Sequence, residues 1–307
     1  MRRVRSPLSR VRVSVPASSA NLGPGYDCLG VALPLRLVVT VERSQQPLVV
    51  EISGDGHDSL PCDERNLIVS TLLDTLQCAS HGLTVTVHNE VPLSSGAGSS
   101  SAAIVAAIAA GLALRDGVAP TRAEVLRRAT AIEGHPDNVA AAIEGGFTLA
   151  VDGDPPLARR IEPPDGLTLL LVVPKAQLAT TESRAVLRPS VDRADAVHNL
   201  QRVALLVHAL QTGDLDALPR ALTDRLHQPD RLPLVPLYEA LADAPLEALG
   251  VTLSGAGPSV LVWARSDQAP GVAARVSQYS EDAQIHILAV DSLGLEVLFL
   301  EHPPAEG

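Results

Sequence analysis

The sequence predicts an α+β fold in two domains with mostly antiparallel sheets, and three observations predict it. The chain has 307 residues, long for one domain and comfortable for two. Residues 152–166 hold four prolines and two glycines, which marks a boundary between a first block, residues 11–155, and a second, residues 166–300. The second block reads strand, helix, strand, strand, helix, strand, the ferredoxin-like split βαβ order.

Taken in order, residues 11–15 alternate apolar and polar, as a half-buried strand does. Residues 31–41 and 48–52 predict two further strands in a hairpin-like arrangement. Residues 66–79 predict a helix, with Leu67, Val69, Leu72, Leu73 and Leu76 on or near one face. A strand at 83–88 leads into a glycine–serine loop and then a helix at 102–114. Thr121 and Glu124 form a capping-box pattern for a helix reaching Ile132. Pro136 interrupts; a helix at 138–143 and a strand at 146–151 close the first block. The second predicts a strand at 167–173, helices at 182–187, 192–211 and 214–226, and strands at 251–253 and 260–263. A helix at 269–279 and a strand at 284–289 end it.

Composition narrows the function. Hydrophobic residues make up 46% of the chain and aromatics 2%, so the core is aliphatic and few rings are available to stack on bases. The net charge is −11 with basic residues scattered, which is no nucleic-acid footprint. Three cysteines, Cys28, Cys62 and Cys78, have spacing that suits neither zinc nor a disulfide framework. No signal peptide is read. The apolar helix is read as core, not as a bilayer span. A cytoplasmic protein with no nucleic-acid or membrane partner is expected; assembly as a homodimer is left open.

The most informative segment is Pro92-Leu93-Ser94-Ser95-Gly96-Ala97-Gly98-Ser99-Ser100-Ser101-Ala102. Gly96 and Gly98 can take positive φ, so backbone N–H groups can converge on one point. The serines add donors where a helix begins, and a helix start carries unpaired N–H groups and partial positive charge. Phosphate fits such a site. The loop lacks the Gly-Lys-Ser/Thr ending of the common P-loop, and Lys175 is the chain's one lysine. Backbone dipoles, arginine or a metal ion must therefore meet the phosphate charge. A linker or an ordinary helix cap has similar composition, but a linker would not feed a helix that is apolar on every face.

Three other stretches stand out. Pro16-Ala17-Ser18-Ser19-Ala20-Asn21-Leu22-Gly23-Pro24-Gly25-Tyr26-Asp27-Cys28-Leu29-Gly30 reads as a loop presenting Asn21 and Asp27, or as a self-bonded Asx turn. Glu133-Gly134-His135-Pro136-Asp137-Asn138 puts two carboxylates, an imidazole and an amide in one helix break, or is a capped turn with Asp137 as N-cap. Ser254-Gly255-Ala256-Gly257-Pro258-Ser259 is a second glycine loop, between two strands.

Together, in this order, these motifs resemble those of the GHMP small-molecule kinases. Residues 20–30 and Glu133-Gly134-His135-Pro136-Asp137-Asn138-Val139-Ala140 are most similar to the homoserine kinase family of that superfamily. Thr180, Arg184 and Arg231, the last within residues 224–233, fall at matching places, and the resemblance runs from about residue 11 to 290. The chain departs from the family pattern at Tyr26, Ala97, Ser101, Ala141 and Asp230; none of these removes a polar group.

The resemblance implies an N-terminal domain of the ribosomal-S5-like kind carrying the ATP site, and a C-terminal domain carrying the substrate clamp. It implies ATP-dependent phosphorylation of the L-homoserine side chain on the route to threonine, with Mg²⁺. Asp27, supported by Asn21, would meet the substrate ammonium, and Arg184 and Arg231 its carboxylate, since a planar guanidinium pairs two oxygens at once. Thr180 and Gly257 would also touch substrate. Glu133 with Ser100, or Ser99, would hold Mg²⁺. Asn138 would aim the hydroxyl with His135 nearby, and Asp137 is the rival as base. Asn66 would lie near the adenine. A threonine- or shikimate-type kinase, or a non-catalytic homologue, are the alternatives.

Overall fold

The computed structural model describes residues 10–78, 82–280 and 282–300. Residue 79, the end of the first predicted helix, lies outside them. The first half runs β1 (Arg10–Ala20), β2 (Leu29–Arg43), β3 (Val49–Gly54), α1 (Leu67–Leu76), β4 (Leu83–Asn89), α2 (Ser99–Asp116), α3 (Arg122–Glu133) and α4 (Asp137–Glu144). It continues with β5 (Phe147–Val151) and β6 (Leu157–Ile161). The second half contains β7 (Leu167–Val173), α5 (Thr180–Ala185), α6 (Arg193–Thr212), α7 (Leu218–Ala221), α8 (Gln228–Arg231), α9 (Pro236–Ala242), β8 (Gly250–Leu253), β9 (Val260–Arg265), α10 (Ala269–Val276), β10 (Gln284–Leu288) and β11 (Glu296–Phe299).

Two sheets result. The first has seven strands in the order β11-β1-β2-β4-β3, with β5 joined to β2 and β6 to β5. The second has four, β10-β7-β9-β8, all antiparallel, which is the ferredoxin-like order. Helix α2 is buried all round against the first sheet and α1, α3 and α4. It is long and apolar enough to cross a membrane, but its apolar residues pack in the protein core instead. Phe147 of β5 and Trp263 of β9 stack with centroids 5.7 Å apart, so one apolar core runs between the sheets.

Several elements differ from expectation for identifiable reasons. β1 runs on to Ala20 rather than stopping at Val15, because a bulge between Pro16 and Ala17 lets pairing with β2 resume at Leu33. Residues 17–20 are small and buried, so no alternation announces them. β3 forms no hairpin with β2; it pairs in parallel with β4, through α1. The proline-rich stretch contains an unforeseen edge strand, β6, which pairs antiparallel with β5. The helix expected at 214–226 is only a short turn of 3₁₀-helix and α7, ending at Ala221. Beyond it the Asp224 carboxylate accepts from the backbone N–H groups of Leu226, His227 and Gln228, a local alternative to helical bonding. β11 was not foreseen and returns the chain to β1.

Candidate active site

The glycine–serine loop lies between β4 and α2, and it is built as the residue types require. Gly96 has φ +83° and Gly98 φ +70°. Serines 99–101 stand inside the first turn of α2, three residues earlier than the predicted start. Gly98 is the N-cap and no side chain caps the helix, so its first N–H groups are free for an anion.

The loop's carbonyls are tied backwards into the protein. Ser259 N–H donates to Ser95 O at 3.0 Å and Ser18 N–H to Ala97 O at 3.0 Å. Ser254 Oγ lies 2.9 Å from Gly96 O. In a planar peptide C=O and N–H point opposite ways. Anchoring the carbonyls therefore turns the N–H groups of Gly96 and Gly98 toward the cleft that both line. The turn at 254–259 and the end of β1 thus brace the loop, which explains why three separate glycine-rich motifs are needed.

The cleft in front has a volume of about 320 Å³. Of the predicted residues, it is lined by Asn21, Asn66, Leu93, Ser94, Ser95, Gly96, Gly98, Ser99, Ser100, Glu133, His135, Asp137, Asn138, Thr180, Arg184 and Arg231. Pro92, Ala97, Ser101 and Ala102 stand behind this surface, and Asp27 meets it through Arg184. Gly257 is also set back, in the turn behind Gly96, at φ +84°.

Glu133, the last residue of α3, reaches the loop. Its carboxylate accepts from Ser100 Oγ at 3.1 Å and Ser101 Oγ at 2.9 Å. In the break after α3, Asp137 is 1% exposed; its Oδ1 accepts from Asn138 N–H at 2.7 Å and lies 3.0 Å from His135 Nδ1. That hydrogen bond raises the His135 pKa, and burial opposes it. Asp137 is the first residue of α4 rather than its N-cap, which is Pro136. Asn138 Oδ1 accepts from Ser18 Oγ at 2.9 Å.

At the opposite wall, Arg184 makes a two-pronged pair with Asp27, at 2.8 and 3.2 Å, and donates to Tyr26 Oη at 3.0 Å. Burial is the largest single influence and works against the Arg184 charge, but the hydrogen bond and charge of Asp27, with Tyr26 and Asp137, together outweigh it and hold the pKa above the usual value. Asn21 locks the same turn, accepting from Asp27 N–H and donating to Gly255 O. Asn21, Leu22 and Asp27 all have positive φ, a local strain that the surrounding bonds hold. Arg231 is only 1% exposed. Its Nε donates to Ser183 O, its Nη1 lies 2.8 Å from His227 Nδ1, and Tyr26 lies 5.6 Å away, ring to guanidinium. Among the described residues no carboxylate forms an ion pair with it.

Asn66 lines the cleft, but its polar atoms are committed: Oδ1 caps α1 at Ile68 N–H and its amide donates to Pro61 O. The same end of the cleft has an apolar wall of Leu37, Ile52, Leu60, Leu67 and Val87, which sequence reasoning missed. Leu67 reads in sequence as part of the apolar face of its helix, and only the structure shows it exposed to the cleft. His227 and Ser18 were missed too. The spacing Asp224, His227, Arg231, with steps of three and four residues, could have pointed to His227.

Comparison with known proteins agrees with this arrangement. The GHMP kinase N-terminal domain matches residues 66–146 and the GHMP kinase C-terminal domain residues 206–282. The chain is 40% identical over 296 residues to homoserine kinase of Moorella thermoacetica, covering 93% of this chain and 99% of that one. It is 42% identical to homoserine kinase of Streptomyces avermitilis, over 94% and 95% of the two chains. The crystal structure of homoserine kinase from Cytophaga hutchinsonii superposes with a TM-score of 0.84 at 26% identity, covering 96% of this chain and 99% of that one. With both domains matched and near-complete alignment to these relatives, the chain belongs to the GHMP kinases, within their homoserine kinase family.

Proposed function

We propose that this protein transfers the terminal phosphoryl group of ATP to the side-chain hydroxyl of L-homoserine, giving O-phospho-L-homoserine for threonine synthesis. The observation that carries the substrate assignment is Arg231, a buried guanidinium on the cleft wall with no carboxylate partner among the described residues. A buried charge without a counter-ion is costly, so the site is built to receive an anion. Arg231 and Arg184 take the substrate carboxylate and Asp27 its ammonium. Arg184 and Asp27 exchange each other for the two ends of the zwitterion, so neither charge is left unpaired.

ATP lies with its base against the apolar wall near Asn66 and its phosphates on the Gly96–Ser100 cradle. The oxygens of Glu133 and Ser100 are hard donors on one side of that cradle and would hold Mg²⁺. When bound, Mg²⁺ neutralises phosphate charge. Asn138 has its carbonyl oxygen occupied by Ser18 Oγ, so its Nδ2 remains to donate to the substrate hydroxyl oxygen and aim it. Asp137 orients Asn138 and His135 through one carboxylate oxygen. Phosphoryl transfer is loose and depends on positioning and charge stabilisation, so no strong base is required. Thr180 completes the substrate wall at the start of α5, and Gly257 supports it from behind. The chain divides for these tasks into residues 11–155 and 166–300, with β11 returning to the first sheet.

The test is ATP consumption with homoserine, threonine, serine, shikimate and mevalonate. Homoserine should be preferred by kcat/KM. Preference for shikimate, which has no ammonium for Asp27, would overturn the assignment.

A further inference from the structure

Arg231 is held from behind by an imidazole that the reaction scheme above does not use. His227 precedes α8, is buried, and stands four residues before Arg231. Its Nδ1 lies 2.8 Å from Arg231 Nη1 and its Nε2 2.8 Å from Gly23 O. A guanidinium only donates, so Nδ1 must accept and carries no proton. A carbonyl only accepts, so Nε2 carries one. The two contacts fix the neutral Nε2–H tautomer. Gly23 belongs to the turn that presents Asn21 and Asp27, so this one ring links both halves of the substrate clamp.

The surroundings agree. The Asp224 carboxylate lies 3.7 Å from Nε2, but it is already engaged by Asn199 and by three backbone N–H groups. The Tyr26 ring sits 5.1 Å from the imidazole, tilted, and Asp27 and Arg184 lie beyond it. Burial holds the His227 pKa below its ordinary value; Arg231 pushes the same way, and Asp224 and Asp27 oppose.

We infer that His227 is a positioning residue: its neutral Nε2–H tautomer accepts one Arg231 N–H and so sets the guanidinium on the substrate carboxylate, and protonation of Nδ1 releases it. A second proton would place two donors and two cations 2.8 Å apart, which cannot persist. The inference rests on the homoserine reading for its kinetic consequence only. Because burial depresses the pKa, the hold stays intact at neutral pH and fails on the acid side, below the ordinary histidine range.

The test pairs two variants with a measurement on the wild-type protein. H227Q can still donate to Gly23 O but offers Arg231 no acceptor at the Nδ1 position. Homoserine KM should rise roughly tenfold or more, the worth of a lost hydrogen bond to a charged group, with ATP KM unchanged. H227N places an amide oxygen near the Nδ1 position and should recover most of that loss. Homoserine KM should rise on the acid side in the wild type and not in H227N. Histidine ¹⁵N NMR of the wild type, with His227 assigned by comparison with H227N, should show a bare Nδ1 and a protonated Nε2 at pH 7. A protonated Nδ1 there, an unchanged homoserine KM in H227Q, or an equal rise in ATP KM overturns the inference. If the wild type does not phosphorylate homoserine, the functional reading fails, and the tautomer alone then decides whether His227 holds Arg231.

Discussion

Gly98→Ala is a demanding change at the site, and the structure supplies both parts of its cost. Gly98 has φ +70°, where an L side chain costs about 1–2 kcal/mol. A Cβ there would stand 2.1 Å from Ser18 Oγ and 3.1 Å from Asn138 Oδ1. Ser18 is fully buried, so its hydroxyl must swing off Asn138, which loses about another 1 kcal/mol. The total is about 2–3 kcal/mol. Gly213→Ala is the control: it has φ +76°, and the nearest contact of its new Cβ is Pro164 Cβ at 4.0 Å, so it carries the backbone cost without the clash. Thermal or urea unfolding should show Gly98→Ala to be the more destabilised of the two by about 1 kcal/mol. Asn138 loses its tether, so kcat should fall roughly tenfold to a hundredfold, the range for a nucleophile misplaced by about 1 Å. Equal stabilities, with kcat of Gly98→Ala at the wild-type level, would refute the argument that Gly98 holds Ser18 and Asn138 in register.

Four other outcomes follow from the same geometry. Arg231→Lys keeps the charge but loses the fork, so homoserine KM should rise tenfold or more, about 1.4 kcal/mol, with ATP KM unaltered; weakened ATP binding instead would make Arg231 a phosphate ligand. Asn138→Ala should lower kcat up to ~100-fold without changing the shape of the pH–rate profile. Asp137→Asn, which keeps an oxygen acceptor, should cost much less than the ~10²–10⁴ of a lost general base, and a flattened acid limb with that larger loss would make Asp137 the base. The folded-state pKa of His135 is raised by Asp137, so the pair contributes its full stability below the unfolded histidine pKa of about 6.5 and loses it as pH rises through the folded value. Denaturant titrations should therefore find His135→Gln more destabilising at pH 5.5 than at pH 8.5; the opposite order would contradict the pairing.

What could be read from sequence, and what could not, divides by the range of the interaction. Helix α3 with its Thr121 cap, strand β7 and the β8–β9 pair are set by local periodicity and turn residues, and they stand where the sequence placed them. β11 and β6 depend on partners far along the chain or on an edge position, and neither announces itself locally. The site followed the same rule. The phosphate loop was legible because positive φ at Gly96 and Gly98 demands glycine. The Asp27–Arg184 pair was not, because 157 residues separate the two in sequence and only the fold shows them satisfying each other. The apolar wall was invisible, since Leu37, Ile52 and Val87 look like any strand residues until one sheet face is left open to the cleft.

Left-handed residues around the cleft lie in three turns far apart in sequence: Asn21, Leu22, Gly23 and Asp27; Ser94, Gly96 and Gly98; Gly255 and Gly257. Each is strained or glycine-dependent alone, and the third holds both of the others. Gly255 N–H donates to Ala20 O, Asn21 donates to Gly255 O, and a Cβ at Gly96 would stand 2.2 Å from Ser254 O. No turn could relax without displacing its neighbours. The first and second turns leave the first sheet and the third joins β8 to β9 of the second, so the contact between the sheets is what fixes the phosphate cradle. For phosphoryl transfer this is the useful place to store strain. The reaction asks the protein for donors that are already aimed rather than for a reactive side chain. Neither sheet alone could supply that aim, because the carbonyls that turn the cradle's N–H groups outward are anchored on both.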